Sequence, residues 1–252
     1  MFKQVSQGVY MPAAKYDAIY RDLKNKIESE TYEFQELLPS ENRLVEIYGC
    51  SRNTVRRAIA GLVTDGYVQT VQGKGVRNIY RPVPQSSFTI GSIESFRESS
   101  IRNHQNGRTK VVLFTELTAD RKIARTTGFE PGTELFYIQR VHYLNGKALI
   151  LNHNYFLKRI IPGLTREIAE QSIYEYLEKT LHVTIVNSQR VMTVEKVTEI
   201  DEKYLELNLN DYNCLAVVTS HTFDSNGIMF EYTQSRHRPD YFRFQDNAVR
   251  RI

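Results

Sequence analysis

Cysteine is scarce in this chain of 252 residues: Cys50 and Cys214 are the only two, far apart and in no CxxC pair. That excludes both a disulfide framework and a cysteine-based zinc site, and it fits a reducing compartment. Long apolar runs are missing as well. No stretch of about 18 apolar residues occurs, which excludes a helical membrane span, and the first 20 residues, MFKQVSQGVYMPAAKYDAIY, lack the apolar core and cleavage pattern of a signal peptide. A cytoplasmic protein with no membrane partner is expected. His104, His153, His182 and His221 show no HExxH or other ligand spacing, so no metal is expected. There is no G-x-S-x-G, P-loop or GxGxxG, and Gly73-Lys74-Gly75 lacks the spacer and the following Ser or Thr of a phosphate cradle. Neither a cofactor nor a catalytic residue is therefore assigned. Charge of one sign is in small excess only, 33 Lys plus Arg against 29 Asp plus Glu, net +4.

What is present is a folding composition. The hydrophobic fraction is 41%, with 12 Phe and 16 Tyr, which excludes a disordered chain. At about 100 to 200 residues per domain the length suits one large domain or two smaller ones. The charge is unevenly placed. Between residues 51 and 81, Arg52, Arg56, Arg57, Lys74, Arg77 and Arg81 face the single acid Asp65, while the rest of the chain is nearly neutral. A local positive field on a neutral body is the footprint of a phosphate-backbone binder, and a solvated face is the plain alternative.

Tyr16, Ile19, Tyr20, Leu23 and Ile27 recur at intervals of three and four, which predicts a helix over about residues 13 to 30. Ser40 can cap a second, short helix that Gly49 stops. Ser51 offers another cap, and Val55, Ala58, Ile59, Leu62 and Val63 form the apolar stripe of a third helix ending at Asp65 and Gly66. The tight turn through Tyr48, Gly49 and Cys50 makes the last two a helix-turn-helix, whose second helix enters the major groove. Residues 67–70 and 76–80 read as strands of a hairpin turning through Gly73, Lys74 and Gly75. Pro82, Pro84, Gln85, Ser86 and Ser87 then read as a linker, placing one domain over 1–81, the linker at 82–88 and a second domain over 89–252.

In the second domain strands are expected at 110–116, 134–143, 148–156, 183–197, 214–224 and 228–237. Helices are expected near 120–127, 166–180 and 201–207. Consecutive hairpins with helices alongside argue an α+β fold on an antiparallel sheet.

The segment LPSENRLVEIYGCSRNTVRRAIAGLVTDGYVQTVQGKG resembles the winged helix-turn-helix of GntR transcription regulators, through the LPSE cap (Leu38 to Glu41), the SRxTVRxA helix (Ser51 to Ala58) and the GKG wing tip (Gly73 to Gly75). SFRE (Ser95 to Glu98), QRVHYLNGKALI, SIYEYLE and FEYTQSRHRPDYFRF resemble the UTRA effector domain of the HutC branch, which is similar in fold to chorismate lyase. Within that branch ILNHNYF, SIYEYLE and YTQSRHR are most similar to regulators of trehalose operons. The resemblance implies a homodimeric repressor on a palindromic double-stranded operator, released by a sugar phosphate, here trehalose 6-phosphate. A regulator answering another sugar phosphate or a non-sugar metabolite is the alternative. A lyase-like enzyme is disfavoured, since it would have no use for a basic recognition helix.

On the third helix Arg52, Asn53, Thr54 and Arg56 hold outward positions near the N-terminus, where long donors read base edges and hydroxyls hold phosphates. Which arginine does which is left open by the residues themselves. The family pattern implies backbone contacts for Ser51 and Thr54 and base reading for Arg52 and Arg56; Asn42 stands where some relatives carry arginine. Gly73 permits close approach, and Lys74 can enter a minor groove or meet phosphates. For the effector, the resemblance aligns Arg140 and His142 with an RxR pair, Ser172 and Tyr174 with an SxY helix opening, and Phe96 and Arg97 behind Ser95. Asn152, Glu231 and His237 are aligned with sugar-hydroxyl positions. A histidine in place of the second arginine implies a pH-sensitive phosphate partner or a substitute such as Arg97.

Overall fold

Ile19, Leu23 and Ile27 fix one face of α1 (Lys15–Glu28) in a computed structural model that describes residues 15–81, 88–89, 93–103 and 105–245. These residues fall into two units, 15–81 and 88–245. In the first, the Ser40 side chain accepts from the Arg43 amide to open α2 (Glu41–Tyr48), and Gly49 closes it in the left-handed conformation at φ 54°. Ser51 repeats the device on the Thr54 amide and opens α3 (Arg52–Thr64). Val55, Ala58, Ile59 and Leu62 of α3 pack with Leu23, Ile27, Leu44, Val68 and Val76 in one apolar core. β1 (Val68–Val71) and β2 (Gly75–Asn78) pair antiparallel as the wing. Gly73 (φ 71°) and Gly75 (φ 112°) turn it through conformations that strain any side chain. Tyr67 and Tyr80, expected inside the strands, lie outside them and stack ring on ring at 4.8 Å.

The second unit runs β3 (Phe88–Thr89), α4 (Phe96–Arg102), β4 (Gly107–Thr118), α5 (Arg121–Thr127), β5 (Glu134–Leu144), β6 (Lys147–Leu157), α6 (Arg166–Gln171), α7 (Ile173–Glu175), β7 (Ile185–Lys196), α8 (Glu199–Leu205), β8 (Cys214–Asp224), β9 (Met229–His237) and β10 (Phe244–Gln245). Six strands form one antiparallel sheet in the order β4-β5-β6-β9-β8-β7, and β3 pairs in parallel with β10. The expected linker therefore ends before residue 88, which belongs to a strand; positions 82–87 lie outside the described residues. Hairpin β5–β6 turns at Asn145 and Gly146, both at positive φ, as the sequence predicts.

Two helices depart from expectation. The single helix expected over 166–180 is broken at Ser172, which is extended (φ −149°, ψ 110°). Its hydroxyl caps α7, which continues as a π-helical turn, Tyr176–Thr180. α4 was not anticipated, although Ser95 and Glu98 form a reciprocal capping box at its start. Gly107 lets α4 lie close to β4: a Cβ built there would stand 2.7 Å from the Ser100 Cβ.

α8 is tied to the sheet by buried Arg236. Its Nε donates to Asp201 Oδ1 at 2.8 Å, Nη1 to Glu195 Oε2 at 2.6 Å and Nη2 to the Lys196 carbonyl at 3.0 Å. Asp201 Oδ2 meanwhile accepts from the Thr198 amide and hydroxyl, forming the N-terminal box of α8. Arg236 and Asp201 are both buried, so removing Asp201 leaves the guanidinium Nε without its acceptor and only the more exposed Glu195 to balance the charge. Asp201→Ala is expected to lower the unfolding free energy by about 3 to 5 kcal/mol in urea titration. A loss below about 1 kcal/mol would show that Arg236 finds its stabilisation elsewhere.

Candidate functional site

α3 carries its charged face outward within its unit: Arg52, Asn53 and Arg56 are exposed, Thr54 half-buried. The Ser51 and Thr54 hydroxyls are 2.8 Å apart, and the Ser51 oxygen also accepts from the Thr54 amide. Two bonds from α2 orient the arginines. Arg52 Nη2 donates to Asn42 Oδ1 at 2.6 Å, and Arg56 Nε is shared between the Glu41 oxygens at 2.9 and 3.0 Å. Arg56 and Glu41 keep 61% and 34% side-chain exposure, so this pair contributes about 0 to 1 kcal/mol and a phosphate can displace it. Lys74 is exposed at the wing tip beside Gly73. The other three bases of the positive segment make contacts within the unit while Arg57 and Arg81 stay exposed: Arg57 lies over Tyr16 at 3.9 Å, Arg81 over Phe34 at 4.2 Å, and half-buried Arg77 donates to the Gln35 carbonyl at 2.7 Å.

In the second unit strand register builds a cavity. Side chains directly opposite one another in antiparallel strands point to the same side. Three successive rows cross β5, β6, β9 and β8: Phe136, Phe156, Glu231 and Thr222; Ile138, Asn154, Thr233 and Ser220; Arg140, Asn152, Ser235 and Val218. The next row brings His142, Ile150 and His237. Against these stand the starts of α4 and α7, enclosing a cavity of about 170 Å³. Ser95, Phe96, Arg97, Arg140, His142, Asn152, Ser172, Tyr174, Glu231 and His237 all line it, so the structure brings together every residue named from the sequence for an effector.

Their states differ. Arg140 Nε donates to Asn154 Oδ1 at 2.9 Å; burial lowers the guanidinium pKa, opposed by the charge of Glu231. Glu231 accepts from the Tyr174 hydroxyl and from the Thr233 hydroxyl, each at 2.6 Å. Burial, and then Glu231, push the Tyr174 phenol well above its usual range, so it stays a donor. His142, which the sequence offers as a pH-sensitive phosphate partner, is tied to two neighbours. The Asn152 amide donates to its Nε2 at 2.9 Å, leaving the Nδ1 proton for Thr109 Oγ1 at 2.8 Å. Burial, helped by Arg140 and His237, holds it neutral far below the ordinary histidine range. Phe96 packs on its ring at 4.5 Å. The Ser95 hydroxyl is taken up by Glu98 and the Ser172 oxygen by the Glu175 amide, while Arg97 pairs with Glu175 at 3.1 Å in the open. Asn152 Oδ1 is buried without a hydrogen-bond partner among the described residues, and Asn152 lines the cavity.

Asn154, Thr233 and Arg190 also line the cavity and were missed from the sequence. Asn154 and Thr233 stand two residues from Asn152 and Glu231, and strand alternation was the signal that could have found them. Among the described residues no group of three or more His, Cys, Asp or Glu could hold a metal ion.

Burial lowers the His237 pKa to about 3. In the unfolded chain histidine takes up a proton near pH 6.5, so below that pH the unfolded state binds more protons and stability falls with acidification, down to about 3. His237 alone is expected to contribute a loss of about 1 kcal/mol between pH 7 and 5.5. His237→Gln should flatten that slope in denaturant titrations; an unaltered slope would mean that His237 ionises normally in the fold.

Comparison with known proteins places this geometry. Residues 15–77 match the model for bacterial regulatory proteins of the gntR family, and residues 102–243 match the UTRA domain. The chain is 34% identical over 240 residues to the HTH-type transcriptional regulator TreR of Bacillus subtilis (strain 168), covering 95% of this chain and 99% of that one. The solved effector-binding domain of B. subtilis TreR is 33% identical with a TM-score of 0.51, covering 57% of this chain and 99% of that domain. The crystal structure of the possible transcriptional regulator YydK from B. subtilis shares the fold at TM-score 0.80 and 21% identity, covering 94% of this chain and 100% of that one. With a winged helix-turn-helix in one unit and a UTRA cavity in the other, the chain belongs to the gntR family of bacterial regulatory proteins, as a transcriptional regulator and not an enzyme.

Proposed function

We propose that the protein is a homodimeric repressor of a sugar-utilisation operon, trehalose above all, that leaves a palindromic operator when a sugar phosphate, trehalose 6-phosphate, fills the second unit's cavity. Residues 1–81 are the DNA-binding domain, and the linker expected over 82–88 gives up Phe88 to the effector-binding and dimerisation domain, which runs to residue 252. The observation that carries the reading is Arg140: a half-buried guanidinium whose Nη groups have no partner among the described residues, lining one cavity with the acceptors Glu231 and Asn152 Oδ1. Cationic forks suit phosphate, and carboxylates and amides suit sugar hydroxyls. The similarity to TreR supports the choice of sugar.

Asn42, Ser51, Arg52, Asn53, Thr54, Arg56, Gly73 and Lys74 form the surface for the operator. Ser51 and Thr54 hold backbone phosphates, and Arg52, oriented by Asn42, reads a base edge. Dimerisation has support in β7, a long edge strand whose Val186, Val191 and Val194 are exposed by 59%, 61% and 74%. An uncovered apolar edge invites pairing with another chain. Two helices on a two-fold axis then meet successive major grooves about 34 to 36 Å apart. Release requires the effector to prefer the non-binding arrangement by about 5.5 kcal/mol.

Gel shifts on the palindrome upstream of the gene test the reading. Trehalose 6-phosphate at millimolar concentration should abolish the shift, and erasing one half-site should weaken it strongly. Arg140→Ala should bind the operator normally and ignore the effector. Undiminished binding of the wild type at millimolar trehalose 6-phosphate would refute the effector, and release by another sugar phosphate would replace it. On the DNA side Arg52→Ala is expected to cost about 1 to 3 kcal/mol for the operator only, whereas Lys74→Ala should weaken all sequences alike and reduce the salt slope by about 1. Equal losses on operator and random DNA for Arg52→Ala would make it a phosphate contact.

A further inference from the structure

We infer that Asn154 and Thr233 are positioning residues that keep Arg140 and Glu231 apart, so that the cavity has a donor pole for an anion and an acceptor pole for hydroxyls; this rests on the sugar-phosphate reading above and deepens it. Arg140 and Glu231 bear opposite charges and line the same cavity, yet they make no ion pair with each other. Register explains the separation. The row of Asn154 and Thr233 lies between the row of Glu231 and the row of Arg140 on the strands. Both spacer side chains are buried.

The bonds through this row can run only one way. Arg140 Nε is solely a donor, so the atom it meets at 2.9 Å is the Asn154 oxygen. The Asn154 amide nitrogen then donates to Thr233 Oγ1 at 2.6 Å. Thr233 has one proton and sends it to Glu231 Oε1 at 2.6 Å. Tyr174 donates to the other carboxylate oxygen at 2.6 Å. Glu231 is thereby held as an acceptor with lone pairs to spare, and Arg140 commits one N–H and keeps its Nη groups for a ligand. Without the neutral spacer the two charges would close on each other, and a self-paired cavity has nothing to offer an anion.

Substitutions of nearly constant shape separate this role from packing. Asn154→Asp keeps an acceptor for Arg140 but sets a negative charge beside it and removes the amide that donates to Thr233. Calorimetry on the full chain should show trehalose 6-phosphate binding at least about tenfold weaker, while the thermal shift produced by unphosphorylated trehalose falls by clearly less. Thr233→Val, which cuts the chain, should weaken both ligands, and Thr233→Ser, which restores the hydroxyl, should return both to wild-type binding. Thermal unfolding without ligand verifies that each variant is folded. Equal weakening of both sugars by Asn154→Asp, or wild-type binding by Thr233→Val, would overturn the inference. If wild-type protein binds neither sugar, the sugar-phosphate reading fails and takes this one with it, an outcome distinct from the variant results.

Discussion

The effector unit depends on strand register. Strands β5, β6, β9 and β8 bring polar side chains into rows on one side of the sheet, and a slip of one residue in any strand would turn its set to the other side. Such a polar interior is costly unless every group is matched. Asn154, Thr233, Glu231 and Tyr174 satisfy one another, and His142 is held between Asn152 and Thr109. Around them Phe136, Ile138, Phe156 and Ile173 form the apolar cluster that keeps the strands aligned. The cavity is therefore a designed interruption of a hydrophobic sheet, and its chemistry is inseparable from the alignment that makes it.

Much of this was legible in the sequence, for local reasons. Ser40, Gly49 and Ser51 act within a few residues of their own positions, so the helix-turn-helix follows from capping chemistry alone. Hairpin β5–β6 follows from Asn145 and Gly146. The residues of the cavity could be named because motifs resembling the family carried them, not because their spacing placed them together. What was lost depends on tertiary alignment. The membership of Asn154 and Thr233 in a row between two charges requires knowing which strand faces which, and bulges at Val111/Leu113 and His142/Tyr143 shift that pairing along β5. α4 could have been found from Ser95 and Glu98, whereas the break at Ser172 competes with a strong apolar stripe that favours one long helix.

In the positive segment Arg57 and Arg81 lie over aromatic rings yet stay exposed, and Arg77 holds a carbonyl, so contacts within the unit steady Arg57 and Arg81 without removing them from the surface. Arg52 and Arg56 are oriented from α2, by an amide for one and a carboxylate for the other. A pre-oriented guanidinium loses less side-chain freedom when it meets its target.

Asp201 serves two masters at once, closing the first turn of α8 and holding the sheet's buried guanidinium. A helix of seven residues is too short to persist by propensity alone. Its survival is therefore borrowed from the sheet, and its amides should exchange with solvent only when β9 itself opens, making α8 and the central strands a single cooperative unit.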